Sequence, residues 1–125
     1  MNEATNQLTE EIIGAGIEVH RTLGPGLLES AYQRALAHEF RLRGPRFEEQ
    51  KLCPLSYKDL VIDDAYRLDF LVNNAVVVEL KTIDTILDVH EAQVLSYLRF
   101  TGCHIGLLLN FRSTTLMRDL KRLAL

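Results

Sequence analysis

Residues 66–81, YRLDFLVNNAVVVELK, carry two carboxylates and an ammonium at a spacing that invites chemistry: Asp69, Glu79 and Lys81. The flanking runs read as two strands meeting at Asn73-Asn74, so the loop length decides which side chains share a face. A two-residue loop pairs Val72 with Ala75 and sends Asp69 and Glu79 to opposite faces, because side chains alternate with period two. A three-residue loop does the reverse. With Asn74 in the left-handed region that Asn tolerates, or with residues 73–75 as the loop, Asp69, Glu79 and Lys81 point to one side. The carboxylates are then opposite or diagonal neighbours, roughly 5 to 8 Å apart. Like charges so placed destabilise a sheet, and a hard divalent cation with oxygen ligands is the usual remedy. The plainer alternative is that Lys81 neutralises one carboxylate where the sheet meets solvent.

Other chemically capable residues lie on predicted helices. Glu29 and Tyr32, three apart, share a helix face. Tyr32 continues the apolar stripe of Leu28, Leu36 and Phe40 and reads first as core. Glu29 sits near a helix start, where a carboxylate suits the dipole and could either cap or contact a metal or water. His20 closes the first helix, as a partner for its C-terminal dipole or as a ligand. Gln93 and Tyr97, at i and i+4, are either a half-buried amide and a core aromatic or part of the site. Arg112, Arg118, Lys121 and Arg122 form the most basic local patch, read as a solvated face with phosphate contact as the alternative.

These groups need elements to hold them. Leu8, Ile12, Ala15 and Val19 make one stripe, with Ile13, Ile17 and His20 beside it, predicting a helix over 8–20 that the Gly24-Pro25-Gly26 break stops. A second helix runs from Leu28 through Phe40 to the breakers Gly44-Pro45. From Phe47 to Leu80 the period shortens, with punctuation at Pro54, Lys58-Asp59, Asp63-Asp64 and Asn73-Asn74, predicting three or four strands in an antiparallel meander. Residues 86–101 return to helical spacing, with Val89, Gln93, Val94, Tyr97 and Leu98 on one side and Gly102 as cap. His104 to Phe111 reads as a buried strand. The segment from Ser113 to Leu125 fits a helix or a final edge strand.

The 125 residues are 47% hydrophobic and 25% charged, which suits one folded domain spanning residues 1–125. The formal net charge of −3 counts against blanketing a nucleic-acid backbone with cations, although it permits a local cationic groove. Cys53 and Cys103 lack ligand spacing and are expected as buried free thiols. No apolar run approaches the roughly 20 residues that span a bilayer. Met1 to Glu11 shows no basic start or apolar core of a secretory signal, so the cytoplasm is the expected location and no membrane partner is expected.

The chain also resembles a known family. Asp69…Glu79-x-Lys81 is similar to the signature of the PD-(D/E)XK nuclease superfamily, and Gly26-Leu27-Leu28-Glu29-Ser30-Ala31-Tyr32 matches the motif of its GxxExxY family. The segments 17–20, 23–29, 78–81, 90–93 and 97–98 share the likeness, while Leu68 stands where the superfamily name has proline. The resemblance implies a restriction-endonuclease-like αβββαβ core, an α/β fold with a mixed central sheet flanked by helices. It implies Mg²⁺ (or Mn²⁺) held by Asp69 and Glu79, with the Leu80 carbonyl as an extra ligand and Lys81 orienting the attacking water. Gln93 and Tyr97 resemble the QxxxY motif of RecB-like nucleases, which touches the scissile region or supports the ligands. The same relatives use a histidine upstream of the aspartate, which nominates His20 as a metal ligand. Glu29 joins the catalytic set. The implied activity is metal-dependent phosphodiester hydrolysis in nucleic acid, DNA preferred. With no visible recognition module, substrate holding calls for a homodimer, a partner protein or a very local groove. A non-catalytic nucleic-acid- or protein-binding adaptor of the same fold is the competing expectation.

Overall fold

A computed structural model describes residues 3–125; Met1 and Asn2, which open the segment read for a secretory signal, lie outside the described residues. The order is α1 (Glu3–Leu23), α2 (Glu29–Arg43), β1 (Phe47–Tyr57), β2 (Leu60–Val72), β3 (Val76–Lys81), α3 (Asp88–Thr101), β4 (Ile105–Asn110), α4 (Leu116–Asp119) and β5 (Lys121–Ala124). This contains the expected sequence of helix, three strands, helix and strand. The strands form one five-stranded sheet in the order β1-β2-β3-β4-β5. Only the β3–β4 pair is parallel, because α3 returns the chain between them as a crossover.

Each helix forms from its apolar stripe. Leu8, Ile12, Ala15 and Val19 of α1 and Tyr32, Leu36, Ala37 and Phe40 of α2 are buried, and they pack with Phe70, Val72, Val76, Val78 and Leu80 on one face of the sheet. On the other face Val94 and Leu98 of α3 pack with Leu68, Leu71, Val77 and Leu108. The central strand β3 is apolar on both faces for that reason. Gly106 lets α3 approach closely, since a Cβ there would lie 2.5 Å from the Val94 side chain. Both cysteines are buried and free. Among the described residues no helix is long and apolar enough to cross a membrane.

Several details differ from expectation. Pro54 and Asp63-Asp64 do not end strands; the β1–β2 register shifts between Cys53 and Leu55, and both strands run on as a long ribbon. A bulge accommodates the proline, which has no N–H to give a regular ladder. Val89 is not on the packed face of α3 but 66% exposed, in its first turn. The last segment takes both forms allowed for it, the single turn α4 and then the edge strand β5 antiparallel to β4.

Candidate functional site

The β2–β3 turn settles the register. Val72 pairs with Val76, Leu71 with Val77 and Phe70 with Val78, so residues 73–75 form a three-residue loop. Asn73 and Asn74 take the left-handed conformation, at φ of 51° and 53°, and the Ala75 N–H donates to the Val72 carbonyl at 2.9 Å. One step further along this register Asp69 faces Glu79, and there the regular pairing stops. The Asp69 amide donates instead to Glu79 Oε2 at 2.7 Å, and the Leu80 amide donates to Asp69 Oδ2 at 2.8 Å. Each carboxylate therefore takes the place of the opposing strand's carbonyl, and the two strands are joined through acidic side chains.

Strict alternation also fails at this point. Leu68 and Phe70, two residues apart, pack into cores on opposite faces of the sheet. Gln50, across from Asp69 on β1, sits at φ 50°, a left-handed backbone seldom found away from Gly, Asn or Asp. Its Nε2 donates to Asp69 Oδ1 at 3.3 Å, while Gln33 Nε2 of α2 donates to the Asp69 carbonyl at 3.5 Å.

Burial and charge make the pair unusual. Glu79 is only 4% exposed. Its pKa is pushed up to about 8, first by burial and then by the neighbouring Asp69; the hydrogen bond from the Asp69 amide and the charge of Lys81 oppose the shift. The metal-free protein thus holds Glu79 largely protonated at neutral pH. Glu29 is raised too, by desolvation and then by Asp69, with Lys81 opposing. Tyr97 is raised by burial, then by Glu79 and Asp69, against Arg67 and a hydrogen bond with Gln93. Lys81 Nζ donates to Gln93 Oε1 at 3.3 Å. Asp69, Glu79, Lys81, Glu29, Gln93 and Tyr97 are accordingly brought by β2, β3, α2 and α3 within one network of hydrogen bonds and charge coupling.

Local folding explains how α2 delivers Glu29. Gly24 and Gly26, at φ of 72° and 106°, turn the chain through conformations that a side chain resists. The Tyr32 hydroxyl donates to the Gly24 carbonyl and accepts from the Leu27 amide, closing the turn from within the core. Its ring is fully buried and stacks on Phe111 at 4.6 Å. Tyr32 is therefore a core residue whose hydroxyl fixes the turn before Glu29.

His20, expected among the metal ligands, makes its hydrogen bond to another part of the chain. It is buried, its Nε2 meets the Ser113 carbonyl at 2.8 Å, and its ring lies 6.2 Å from that of Phe111. That bond ties α1 to the segment after β4. Gln33, Gln50 and Arg67 were not singled out in the sequence. Arg67 had a signal, two positions before Asp69, whereas the backbone of Gln50 had none. The arginines of the C-terminal basic patch are engaged within the fold: Arg112 pairs with Asp84 at 3.2 Å, Arg118 donates to Thr114 and Arg122 to Asn6.

Among the described residues no group of three or more His, Cys, Asp or Glu could by itself hold a metal ion. The two facing carboxylates still offer hard oxygen donors, and the raised pKa of Glu79 reflects its burial first and the charge of Asp69 second. Two carboxylates with water completing the shell is the coordination Mg²⁺ prefers, so the donor set fits that ion.

A family model described as the PD-(D/E)XK nuclease superfamily matches residues 6–123. The mixed five-stranded sheet flanked by helices is consistent with the restriction-endonuclease-like fold. No curated protein and no solved structure matches the chain.

Proposed function

We propose, on the premise that the chain belongs to the PD-(D/E)XK nuclease superfamily, that it hydrolyses phosphodiester bonds in nucleic acid, with DNA as the preferred substrate. One observation carries this reading: two carboxylates joined across diverging strands, with Lys81 two residues beyond Glu79. The single sheet with a core on each face supports taking the described chain as one such domain. Gly26, Glu29 and Tyr32, with the hydroxyl of Tyr32 setting the turn, support placement in the GxxExxY family.

Asp69 and Glu79, with the Leu80 carbonyl, would hold Mg²⁺ or Mn²⁺. When bound, such an ion polarises a phosphoryl oxygen and lowers the pKa of water. Asp69 and Glu79 are pre-set for this by the two backbone N–H groups that fix one oxygen of each. Lys81 stabilises charge developing on the phosphate and orients the attacking water, and an ammonium held in place does so without reorganisation. Gln93 is a positioning residue that holds Lys81 Nζ through its carbonyl oxygen. Tyr97, against Gln93 and the carboxylates, closes the α3 side, and Glu29 adds a third acid for water on the α2 side. The test is titration of Mg²⁺ and Mn²⁺ against labelled DNA and RNA oligonucleotides, comparing wild type with Glu79→Ala. Metal-dependent cleavage by the wild type alone supports the reading. Tight binding without cleavage by either protein turns it to the adaptor.

A further inference from the structure

A chain of net charge −3 needs a local means of holding a polyanion. Arg34, His38 and Arg41 occur at i, i+4 and i+7 of α2 and share one face of the helix. They line a groove of about 600 Å³ with Glu49 of β1, and Arg41 and Glu49 also wall a second groove of about 590 Å³ that ends at Arg46. The two share Arg41 and Glu49 as walls. Three guanidinium groups face one carboxylate there, so the track is positive although the molecule is negative. Glu49 is itself occupied, by Arg41 at 3.4 Å and by Gln33 Nε2 at 3.1 Å. Arg41 also lies over the Phe47 ring at 5.4 Å, which holds it in place. The side chains of Arg34, His38 and Arg46 are exposed and make no hydrogen bond or ion pair among the described residues.

The track leads to the candidate site. Gln33, next to Arg34, donates to the Asp69 carbonyl, and Gln50, next to Glu49, donates to Asp69 Oδ1. From Arg34 to Arg41 the helix rises about 10 Å at 1.5 Å per residue, a distance that spans several phosphates at roughly 3.4 Å of rise each. The cations stand in a single row, suited to one backbone.

We propose that the Arg34–His38–Arg41–Arg46 track holds the sugar-phosphate backbone of one nucleic-acid strand and leads it to the Asp69–Glu79 pair, without a second protein chain. It rests on the nuclease reading for its destination, and it names the surface that grips the substrate. The C-terminal basic patch, whose arginines are engaged by Asp84, Thr114 and Asn6, is not that surface.

The experiment is fluorescence anisotropy with a labelled 20-nucleotide single strand in EDTA, over a series of salt concentrations. Arg34→Gln/Arg46→Gln is compared with wild type and with Arg118→Gln/Lys121→Gln, which makes the same change in net charge elsewhere. The track variant is expected to bind roughly tenfold more weakly at low salt. Its log–log salt slope should be shallower by about 1.4, because each phosphate neutralised on a single strand contributes about 0.7. The control should match wild type. Because Arg34, Arg46, Arg118 and Lys121 are all exposed, thermal melting of both variants should match wild type as well. Equal weakening in the two double variants makes the effect one of net charge and overturns the proposal. So does an unchanged slope in the track variant, even where cleavage is observed, in which case the nuclease reading stands without it. A shallower slope in a protein that never cleaves upholds the track and removes the nuclease reading.

Discussion

Replacing Glu79 by Gln in metal-free protein isolates the cost of burying that carboxyl beside Asp69. Unfolded, the group titrates near its ordinary value of 4.5; folded, at about 8. The folded state holds the proton more tightly, so the stabilisation is complete below about pH 4.5 and is lost as pH rises towards 8. At 1.36 kcal/mol per pKa unit, the loss is about 3 kcal/mol by pH 7 and about 5 kcal/mol by pH 9. Gln cannot ionise, and its side-chain oxygen still accepts the Asp69 N–H, so the variant lacks this dependence. Its stability should lie within about 1 kcal/mol of wild type at pH 5 and exceed it by about 3 kcal/mol at pH 7. For a domain of this length that is a gain of roughly 10 °C in Tm. Thermal or urea unfolding in EDTA at both pH values measures it, and the difference between the proteins cancels other titrating groups. An equal gap at pH 5 and pH 7 would refute the burial argument.

Metal should close most of that gap. At 100 times its dissociation constant Mg²⁺ adds about 2.7 kcal/mol to the wild type, and Asp69→Asn or Glu79→Gln should lose most of this in melts with and without Mg²⁺; identical responses would show that the pair is not a metal site. Leu36→Ala opens a cavity in the fully buried α2 face and should cost about 2 to 5 kcal/mol. Gln93→Ala, at an exposed amide, should cost far less but reduce cleavage; equal loss of Tm in the two would assign Gln93 to the core. Tyr32→Phe keeps the stack on Phe111 and removes the hydroxyl from the Gly24–Leu27 turn, so it should cost about 1 to 3 kcal/mol in denaturant unfolding; an unchanged midpoint would remove the turn-setting role.

The features carried by local pattern were readable from the residues. The apolar stripes of α1 and α2, the punctuation at Asn73-Asn74 and the doubly apolar run of β3 each report a nearby periodicity. The loop choice was not decidable that way, since Asn accepts the left-handed conformation in either register; pairing of Val72 with Val76 decides it. Asp69 reaches Glu79 where alternation breaks, opposite the left-handed Gln50 on β1, which has no local signature. The partner of His20, the Ser113 carbonyl, lies 93 residues away and has no signature in local spacing. Pro54 was misleading as punctuation because a bulge absorbs it within a continuing ribbon.

The central claim is that Asp69, Glu79 and Lys81 form a metal-dependent phosphodiester-cleaving site. Its most direct test is single-turnover cleavage of a labelled DNA oligonucleotide, with Mg²⁺ or Mn²⁺ and with EDTA, by wild type, Asp69→Ala, Glu79→Ala and Lys81→Ala proteins that melt as folded domains. Cleavage that needs the metal and disappears in all three variants is the expected result. Robust cleavage by purified Glu79→Ala, or an undiminished rate in EDTA, would contradict it.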